Sequence, residues 1–146
     1  MDYSVHSCRF IDLKAFSDPR GTLSFVQNGD QIPFDIKRMY FLYDVPFGAE
    51  RAAHGHKRLH QLFFAFNGSF RLRLDDGNEQ RDVLINKPNR PFYVCPEIWR
   101  VVDEFTSGAV CNVLASELYS EDDYLRDYDS FIAYVKQQNK PVRAGL

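Results

Sequence analysis

The sequence predicts an all-β fold, a sandwich or a barrel, with one α-helix close to the C-terminal end. Short segments rich in β-branched and aromatic residues recur every eight to twelve residues or so, and turn-forming residues separate them. Only the last part of the chain has the apolar spacing of an amphipathic helix. A chain of 146 residues is large enough for one hydrophobic core. We therefore expect one domain over residues 1–139 and a disordered tail over residues 140–146.

About nine or ten strands are expected from this pattern. They include residues 8–13, 21–27, 36–44, 69–74, 83–85, 92–95, 99–105 and 109–115, together with strand structure within residues 48–68. In the clearest one, the strict alternation of Phe70, Leu72 and Leu74 with polar residues predicts that these three side chains face the core. A turn at residues 75–78 follows.

The segment 36–44 alternates in a way that could build one wall of a pocket. Its pattern places Arg38, Tyr40 and Leu42 on one face and the more apolar side chains on the other. The polar face could line a site, or it could be the solvent face of an ordinary amphipathic strand. Alternation alone does not decide between these two interpretations.

A helix is predicted to begin at Ser120. The run Ser-Glu-Asp-Asp over residues 120–123 resembles a capping box, and acidic residues favour a helix N-terminus. An apolar stripe follows, made of Tyr124, Leu125, Tyr128, Phe131, Ile132 and Val135. We expect this helix to pack on the barrel or on a second subunit.

The overall composition argues against several classes of partner. Eighteen basic and twenty acidic residues give a net charge of −2, which offers no general attraction for nucleic acid or an anionic membrane. The N-terminal residues do not resemble a signal peptide, and no apolar run is long enough to span a membrane. Three cysteines without a C-x-x-C pair are typical of buried thiols in a reducing compartment. The sequence thus predicts a cytoplasmic protein.

The most informative stretch is residues 48–68, which contains His54 and His56. In a strand, side chains two residues apart project from the same face, so both imidazoles would enter one space and Gly55 would point away. Arg51 has the opposite parity to His54, and a bend or bulge would be needed to bring it to the mouth of the site. The alternative is a chance pair of histidines in a surface hairpin.

The spacing of this stretch resembles the first sequence motif of the cupin superfamily, in which the position of Gln61 is usually Glu. Catalytic zinc or iron normally needs at least three protein ligands. Gln61 is an uncharged, poor ligand, and the later strand around Arg100 contains no histidine. We therefore expect neither a metal nor another cofactor, although a metal-dependent dioxygenase is a remaining alternative.

Without a metal, His54 and His56 would serve as proton carriers near neutral pH. The chemistry that suits them is enolisation beside a carbonyl, in which one imidazole removes a carbon-bound proton and a second donor holds the enolate oxygen. Arginine side chains would suit a phosphate-bearing substrate because each guanidinium makes paired, charge-assisted contacts. The candidates are Arg20, Arg38, Arg51 and Arg100.

Together with these residues, further motifs make the chain resemble a known family, the sugar 3,4-ketoisomerases of the cupin superfamily, which act on dTDP-4-oxo-6-deoxy-D-glucose. The matching motifs span nearly the whole chain. They are Asp18-x-Arg20-Gly21, Ile32-Pro33-Phe34-x-Ile36-Lys37-Arg38-x-Tyr40, Arg51-x-x-His54-x-His56-Lys57, Gln61, Asn67-Gly68-Ser69, Leu74-Asp75-Asp76-Gly77, Trp99 and Val113-Leu114-Ala115-Ser116-x-x-Tyr119-x-Glu121-x-Asp123-Tyr124-Leu125-Arg126-x-Tyr128-x-x-Phe131.

The resemblance implies a cupin double-stranded β-helix, also called a jelly-roll barrel, and a homodimer with exchanged N-terminal strands. It also implies a metal-independent enzyme that moves the keto group from carbon 4 to carbon 3 through an enediol, for amino-sugar biosynthesis. By position, His54 and His56 would be the acid–base pair. The implied substrate-binding set is Arg20, Arg38, Tyr40, Arg51, Gln61, Trp99 and Arg100, with Trp99 as a wall of the pocket.

Two features of this chain bear on the family pattern. The family usually reads Arg-Gly-x-His-Ala-His, whereas this chain has Ala52 and Gly55 at the exchanged positions. Arg100 resembles the members that form the gluco-configured 3-keto sugar, whereas Arg20 resembles the galacto-formers. We give Arg100 more weight and expect dTDP-3-oxo-6-deoxy-D-glucose. The alternatives are a 3,5-epimerase of the same substrate and a non-catalytic nucleotide-sugar-binding cupin.

Overall fold

A computed structural model describes residues 2–29 and 31–146. Among these residues it contains twelve short strands and a single α-helix. The strands are β1 (Arg9–Phe10), β2 (Phe16–Asp18), β3 (Gly21–Leu23), β4 (Arg38–Leu42), β5 (Arg51–His56), β6 (Gln61–Asn67), β7 (Phe70–Asp75), β8 (Gln80–Ile85), β9 (Phe92–Val94), β10 (Trp99–Asp103), β11 (Val110–Ala115) and β12 (Tyr124–Leu125); the helix is α1 (Tyr128–Gln137). The predicted fold class, mostly β with one C-terminal helix, is confirmed.

Two five-stranded antiparallel sheets form the body of the fold. Their strand orders are β1-β9-β6-β11-β4 and β12-β5-β10-β7-β8, while β2 and β3, among the described residues, pair only with each other. One hydrophobic core contains side chains from both sheets, such as Phe63 of β6 and Val102 of β10. Phe70, Leu72 and Leu74 lie in this core, as their alternation predicted. The jelly-roll arrangement thus places inward-facing side chains of both sheets in a common interior.

Strand β4 shows the alternation that the sequence predicted. Arg38, Tyr40 and Leu42 are half-buried, whereas Met39 and Phe41 are exposed. The polar face of β4 therefore points into the molecule, and its apolar face points outward.

The helix begins later than the sequence indicated. Asp127, not Ser120, is the N-cap of α1, and its carboxylate accepts a hydrogen bond from the Ser130 amide at 2.8 Å. Ser120 precedes only a 3₁₀ turn, Glu121–Asp123, without a side-chain cap. The residues of β12 that were assigned to the helix instead pair with His56 and Gly55 of β5. The pairing of β12 with β5 therefore ends the 3₁₀ turn at Asp123. Local helix propensity does not indicate such a tertiary contact.

The expectation of a disordered tail is not what the structure shows. Lys140 forms an ion pair with Glu97, and the Arg143 guanidinium makes two 2.9 Å contacts with the Asp75 carboxylate. Val142 packs against the apolar side of α1. These ion pairs and this contact tie residues 140–146 to the barrel.

No helix in the part of the chain that the structure describes is long and apolar enough to cross a bilayer.

Candidate active site

A cavity of about 260 Å³ opens between the two sheets. It is lined by Arg38, Tyr40, Leu42, Arg51, Ala52, His54, Phe63, Arg100, Val102, Tyr124 and Arg126. Five of the residues expected in the site from the sequence are thus brought together here, from strands β4, β5 and β10.

The histidine pair has the geometry predicted from its spacing. The rings of His54 and His56 lie 4.7 Å apart, edge to face. His54 lines the cavity, and His56, with 0% of its surface exposed, lies in the barrel interior beside it. Gly55 points away, towards α1, where an added Cβ would stand 2.8 Å from the Phe131 ring. The helix therefore approaches β5 so closely that a glycine is needed at this position.

A bulge in β5 explains how Arg51 shares a face with His54. Ala52 and Ala53 have positive φ values of 70° and 55°, and the pairing with β10 shifts register between Arg100 and Val101. The extra residue reverses the strand parity, so Arg51 lines the same cavity as His54. The bulge that the sequence left open is confirmed.

Arg100 is buried at the base of the cavity, with 1% of its surface exposed. Its guanidinium donates to the Ile98 carbonyl from Nε at 3.1 Å and from Nη2 at 2.9 Å, and from Nη1 to the Gln61 side-chain oxygen. Burial lowers the pKa of Arg100, although nearby polar groups oppose the shift. A cation at this position repels a metal ion, and Gln61, the residue at the cupin carboxylate position, serves as the partner of that cation.

The direction of the hydrogen bonds at the base follows from Arg100. Because a guanidinium only donates, Gln61 must turn its oxygen towards Arg100 and its amide nitrogen towards Tyr40. That nitrogen donates to the Tyr40 hydroxyl at 2.9 Å. The proton of Tyr40 must then point elsewhere, and Tyr40 lines the cavity. Burial raises the pKa of Tyr40 well above its usual value, so its O–H remains a donor at neutral pH.

Both histidines are neutral at pH 7. Burial is the main cause that lowers the pKa of His54 to about 3 and that of His56 to about 4, and the Arg100 charge adds to both shifts. A neutral imidazole has one free lone pair and can accept a proton. The site therefore combines proton acceptors with a protonated hydroxyl donor.

Three residues of the site were not assigned to it from the sequence. Asp123 contacts the Nδ1 atom of His56 at 2.9 Å, Tyr124 packs on both imidazoles, and Arg126 stacks on Tyr124 at 3.8 Å. All three belong to the C-terminal motif of the family. That motif was the available signal, but the capping-box interpretation had placed it at the start of a helix.

Three of the expected substrate-binding residues do not line this cavity. Gln61 is buried behind it, bonded to Arg100, whereas Trp99 and Arg20 lie elsewhere. Trp99 is on the opposite face of β10 from Arg100 and packs against Tyr128 and Phe131, so it is not a wall of the pocket. Consecutive strand residues face opposite sides, and the parity of Arg100 already excluded Trp99. Arg20 lies at the β2–β3 turn with its side chain 90% exposed and pairs with Asp18.

Comparison with known proteins gives consistent results. The family model described as FdtA: WxcM-like, C-terminal matches residues 6–136. The chain is 39% identical over 131 residues to the TDP-4-oxo-6-deoxy-alpha-D-glucose-3,4-oxoisomerase of Aneurinibacillus thermoaerophilus, covering 90% of this chain and 94% of the relative.

Solved structures show the same relationship. A histidine-to-asparagine mutant of the 3,4-ketoisomerase QdtA from Thermoanaerobacterium thermosaccharolyticum, in complex with TDP-4-keto-6-deoxyglucose, is 38% identical with a TM-score of 0.87, covering 90% of this chain and 95% of that one. The TDP-quinovose 3,4-ketoisomerase WlaRB of Campylobacter jejuni is 36% identical with a TM-score of 0.83, covering 86% and 97%. The dTDP-4-dehydrorhamnose 3,5-epimerase of Bacillus anthracis shares the fold alone, at 14% identity and a TM-score of 0.72 over 85% and 80% of the two chains. The chain therefore belongs to the FdtA, WxcM-like family of cupin sugar 3,4-ketoisomerases, as its motifs predicted.

Proposed function

We propose that this protein is a metal-independent isomerase that converts dTDP-4-oxo-6-deoxy-D-glucose to its 3-keto isomer. The observation that carries the proposal is the neutral histidine pair beside the Tyr40 hydroxyl, in a cavity where Arg100 occupies the base. The named activities of the 36–39% identical relatives support the same substrate class.

The proposed reaction is a proton transfer within one sugar. His54 removes the proton from carbon 3, which is acidic because it lies next to the carbon 4 ketone. Tyr40 donates a hydrogen bond to the oxygen on carbon 4 as an enediol forms. A proton then returns to carbon 4. Over the whole reaction the carbon 3 hydroxyl loses one proton and the oxygen on carbon 4 gains one, which leaves a ketone at carbon 3 and a hydroxyl at carbon 4. The hexose keeps its oxidation level, so no redox cofactor is needed.

Arginines at the cavity wall would bind the diphosphate. Arg38, Arg51 and Arg126 all line the cavity, and guanidinium groups recognise phosphate oxygens through paired, charge-assisted hydrogen bonds. Arg126 is also held by Glu121, which fixes its position beside Tyr124.

The proposed product is dTDP-3-oxo-6-deoxy-D-glucose, the gluco isomer. Arg100 uses its N–H groups on Ile98 and Gln61, and a guanidinium does not lose its proton at neutral pH. A proton for carbon 4 must then come from the side of the histidine pair and not from the Arg100 side. This consideration favours the configuration expected from Arg100 over that suggested by Arg20.

Product analysis by NMR in deuterated water tests the proposal. We expect the ketone to move to carbon 3, with deuterium at carbon 4 to the extent that the removed proton exchanges with water, and with the coupling constants of the gluco isomer. A 3,5-epimerase would leave the ketone at carbon 4 and label carbons 3 and 5. A non-catalytic binding module would bind dTDP and give no product, which would refute the proposal.

We also propose a homodimer with exchanged N-terminal strands, in the cytoplasm. The hairpin β2–β3 pairs with no other strand of the described chain, and an apolar groove of about 440 Å³ lies beside it. Met39, Phe41 and Phe66 present an exposed apolar surface on the sheet that contains β4 and β6. A second copy of the chain would bury this surface. The β2–β3 hairpin of each copy would then bring its Arg20 to the active-site cavity of the other copy. Three buried free cysteines fit a reducing compartment.

Mixing two inactive variants tests this exchange. If Arg20 acts in the partner's site, Arg20→Ala and His54→Asn chains form mixed dimers with one intact site, and co-refolding should restore about a quarter of the wild-type turnover. Recovery requires that each variant alone loses turnover. A monomer in sedimentation analysis, or no recovery in the mixture, would contradict the exchange.

A further inference from the structure

We propose that Asp123 is a positioning residue that fixes the tautomer and ring orientation of His56. The proposal rests on the proposed function, since it assigns to His56 a proton-accepting Nε2 atom in the isomerase site. The sequence had placed Asp123 at the start of a helix.

The carboxylate of Asp123 contacts only one side of the imidazole. Its Oδ2 atom lies 2.9 Å from Nδ1 of His56, and both side chains are buried. The other ring nitrogen, Nε2, is buried and has no hydrogen-bond partner in the part of the chain that the structure describes. His56 lies on the strand face that His54 presents to the cavity. An unpaired buried acceptor of this kind is expected where a substrate hydroxyl will bind.

The carboxylate is held by more than the histidine. Its Oδ1 atom accepts the Arg58 amide N–H at 2.7 Å, and its own carbonyl accepts the Lys57 amide at 3.0 Å. The next residue, Tyr124, pairs directly with His56 across β12 and β5. Asp123 and His56 are therefore fixed to each other through the main chain as well as through their side chains.

This arrangement selects one tautomer. Burial acts to raise the pKa of Asp123, but its hydrogen bonds to His56 and Arg58 outweigh burial and leave the pKa lowered, so the side chain is an ionised acceptor. Nδ1 must then carry the imidazole proton, and Nε2 keeps its lone pair.

Burial is the main reason that the resting His56 ring is neutral, and the charges around it modify this effect. The groups that face it from the surrounding elements are Arg38 of β4, His54 of β5, Arg100 of β10, Asp123 of the 3₁₀ turn and Tyr124 of β12. The two arginines disfavour an imidazolium, whereas Asp123 favours one. When His56 takes a proton from a sugar hydroxyl, Asp123 stabilises the charge that forms and so eases both its arrival and its return.

Asp123→Asn provides the sharpest test because the two side chains have nearly the same shape. The Asn oxygen can keep the bond from the Arg58 amide, which turns its NH₂ group towards Nδ1 of His56. Nδ1 must then accept, and the imidazole proton moves to Nε2. We expect kcat to fall by about a hundredfold with KM changed by less than about threefold.

A long-range ¹H–¹⁵N spectrum of ¹⁵N-histidine-labelled protein reads the tautomer directly. We expect a protonated Nδ1 for His56 in the wild type and a protonated Nε2 in Asp123→Asn. This measurement needs no substrate, so it stands even if the proposed isomerisation is wrong. A wild-type His56 with a protonated Nε2, or with mixed tautomers, would overturn the proposal, and it would do so even if the Asn variant failed to fold.

Two further variants separate positioning from support of the fold. Asp122 lies on the same 3₁₀ turn and its side chain is exposed. The kcat of the Asp122→Asn variant should therefore equal the wild-type value. In a His56→Asn background, Asp123→Asn should cost no further turnover, because its effect passes through His56. An additional loss of similar size in that background would show that Asp123 acts on the fold and would refute the positioning role.

Discussion

At the scale of single residues, Gln61 sets the direction of the hydrogen bonds at the cavity base. Its amide can accept from Arg100 and donate to Tyr40 at once. A carboxylate in the same place could only accept. With Gln at this position, the proton of the Tyr40 hydroxyl is left free to be donated into the cavity.

We predict that Gln61→Glu lowers kcat by about a hundredfold, a magnitude typical of losing one hydrogen-bond donor to a developing oxyanion. The new carboxylate would accept the Tyr40 proton and withdraw it from the sugar, while its ion pair with Arg100 should preserve the fold. Steady-state kinetics with dTDP-4-oxo-6-deoxy-D-glucose, accompanied by circular dichroism, checks this outcome.

Tyr40→Phe supplies the matched control for that change. It removes the donor itself, so adding Gln61→Glu in the Tyr40→Phe background should have little further effect on kcat. If the two losses simply add, Gln61 acts on turnover by some route other than Tyr40.

The side chains of the site differ in how far the sequence alone could predict their positions. Strand parity alone was enough to place His54 and His56 in one space, with Gly55 on the other side. The same rule, applied to β10, would have excluded Trp99 once Arg100 was placed inward. The contact between Asp123 and His56 joins residues 67 positions apart, and no local pattern in the sequence indicates it.

At the scale of elements, the bulge in β5 is a strained piece of backbone. Ala52 and Ala53 both adopt left-handed φ values, which cost an L-residue with a Cβ atom about 1 kcal/mol or more each. The family usually has Gly where this chain has Ala52. The bulge nevertheless persists because β5 pairs with β10 on both sides of it, and it places Arg51 and His54 in one cavity.

We predict that Ala52→Gly raises the free energy of unfolding by about 0.5 to 1 kcal/mol, because relief of the left-handed strain exceeds the entropy that glycine adds to the unfolded chain. Urea denaturation at one fixed protein concentration measures the change. The matched control is Ala133→Gly, on the exposed side of α1, where the same exchange should cost about 1 kcal/mol. Destabilisation by both exchanges would contradict the strain at Ala52.

The elements also differ in how well local rules predicted them. The strands β4 and β7 followed their alternation, because each has one face in the interior and one outside. The start of α1 did not follow the capping rule, since pairing of β12 with β5 took priority over helix formation at Tyr124 and Leu125. The C-terminal tail was misjudged because ion pairs such as Arg143 with Asp75 join segments far apart in sequence.

At the scale of the whole molecule, the buried ionisable groups divide the acid stability of the protein into two pH ranges. His54, His56 and His60 all have a lowered pKa in the folded protein, mainly because of burial. Asp75 and Asp123 also have a lowered pKa, through hydrogen bonds that outweigh burial. The carboxylates lose their stabilising effect only below their unfolded pKa of about 4, so the range above it belongs to the histidines.

The sign of the histidine effect follows from proton binding. Between the unfolded pKa of about 6.5 and the folded values of about 3 and about 4, the unfolded chain binds protons at His54 and His56 that the folded protein does not. The free energy of unfolding must therefore decrease as the pH falls through this range, and it is unaffected by these two groups above pH 7. Each histidine contributes a slope of about 1.4 kcal/mol per pH unit once the pH is well below 6.5.

We predict that the double variant His54→Asn/His56→Asn loses most of this slope, because asparagine binds no proton in either state. Urea denaturation at intervals from pH 4.5 to 8, at one fixed protein concentration, gives the two curves to compare. They should run parallel above about pH 7 and diverge below about pH 6, with the wild type falling more steeply by up to about 2.7 kcal/mol per pH unit. Parallel curves over the whole range would mean that both imidazoles titrate normally in the folded protein. In that case burial would not lower the pKa of the histidine pair, and the imidazoles would begin to take up protons as the pH falls through about 6.5.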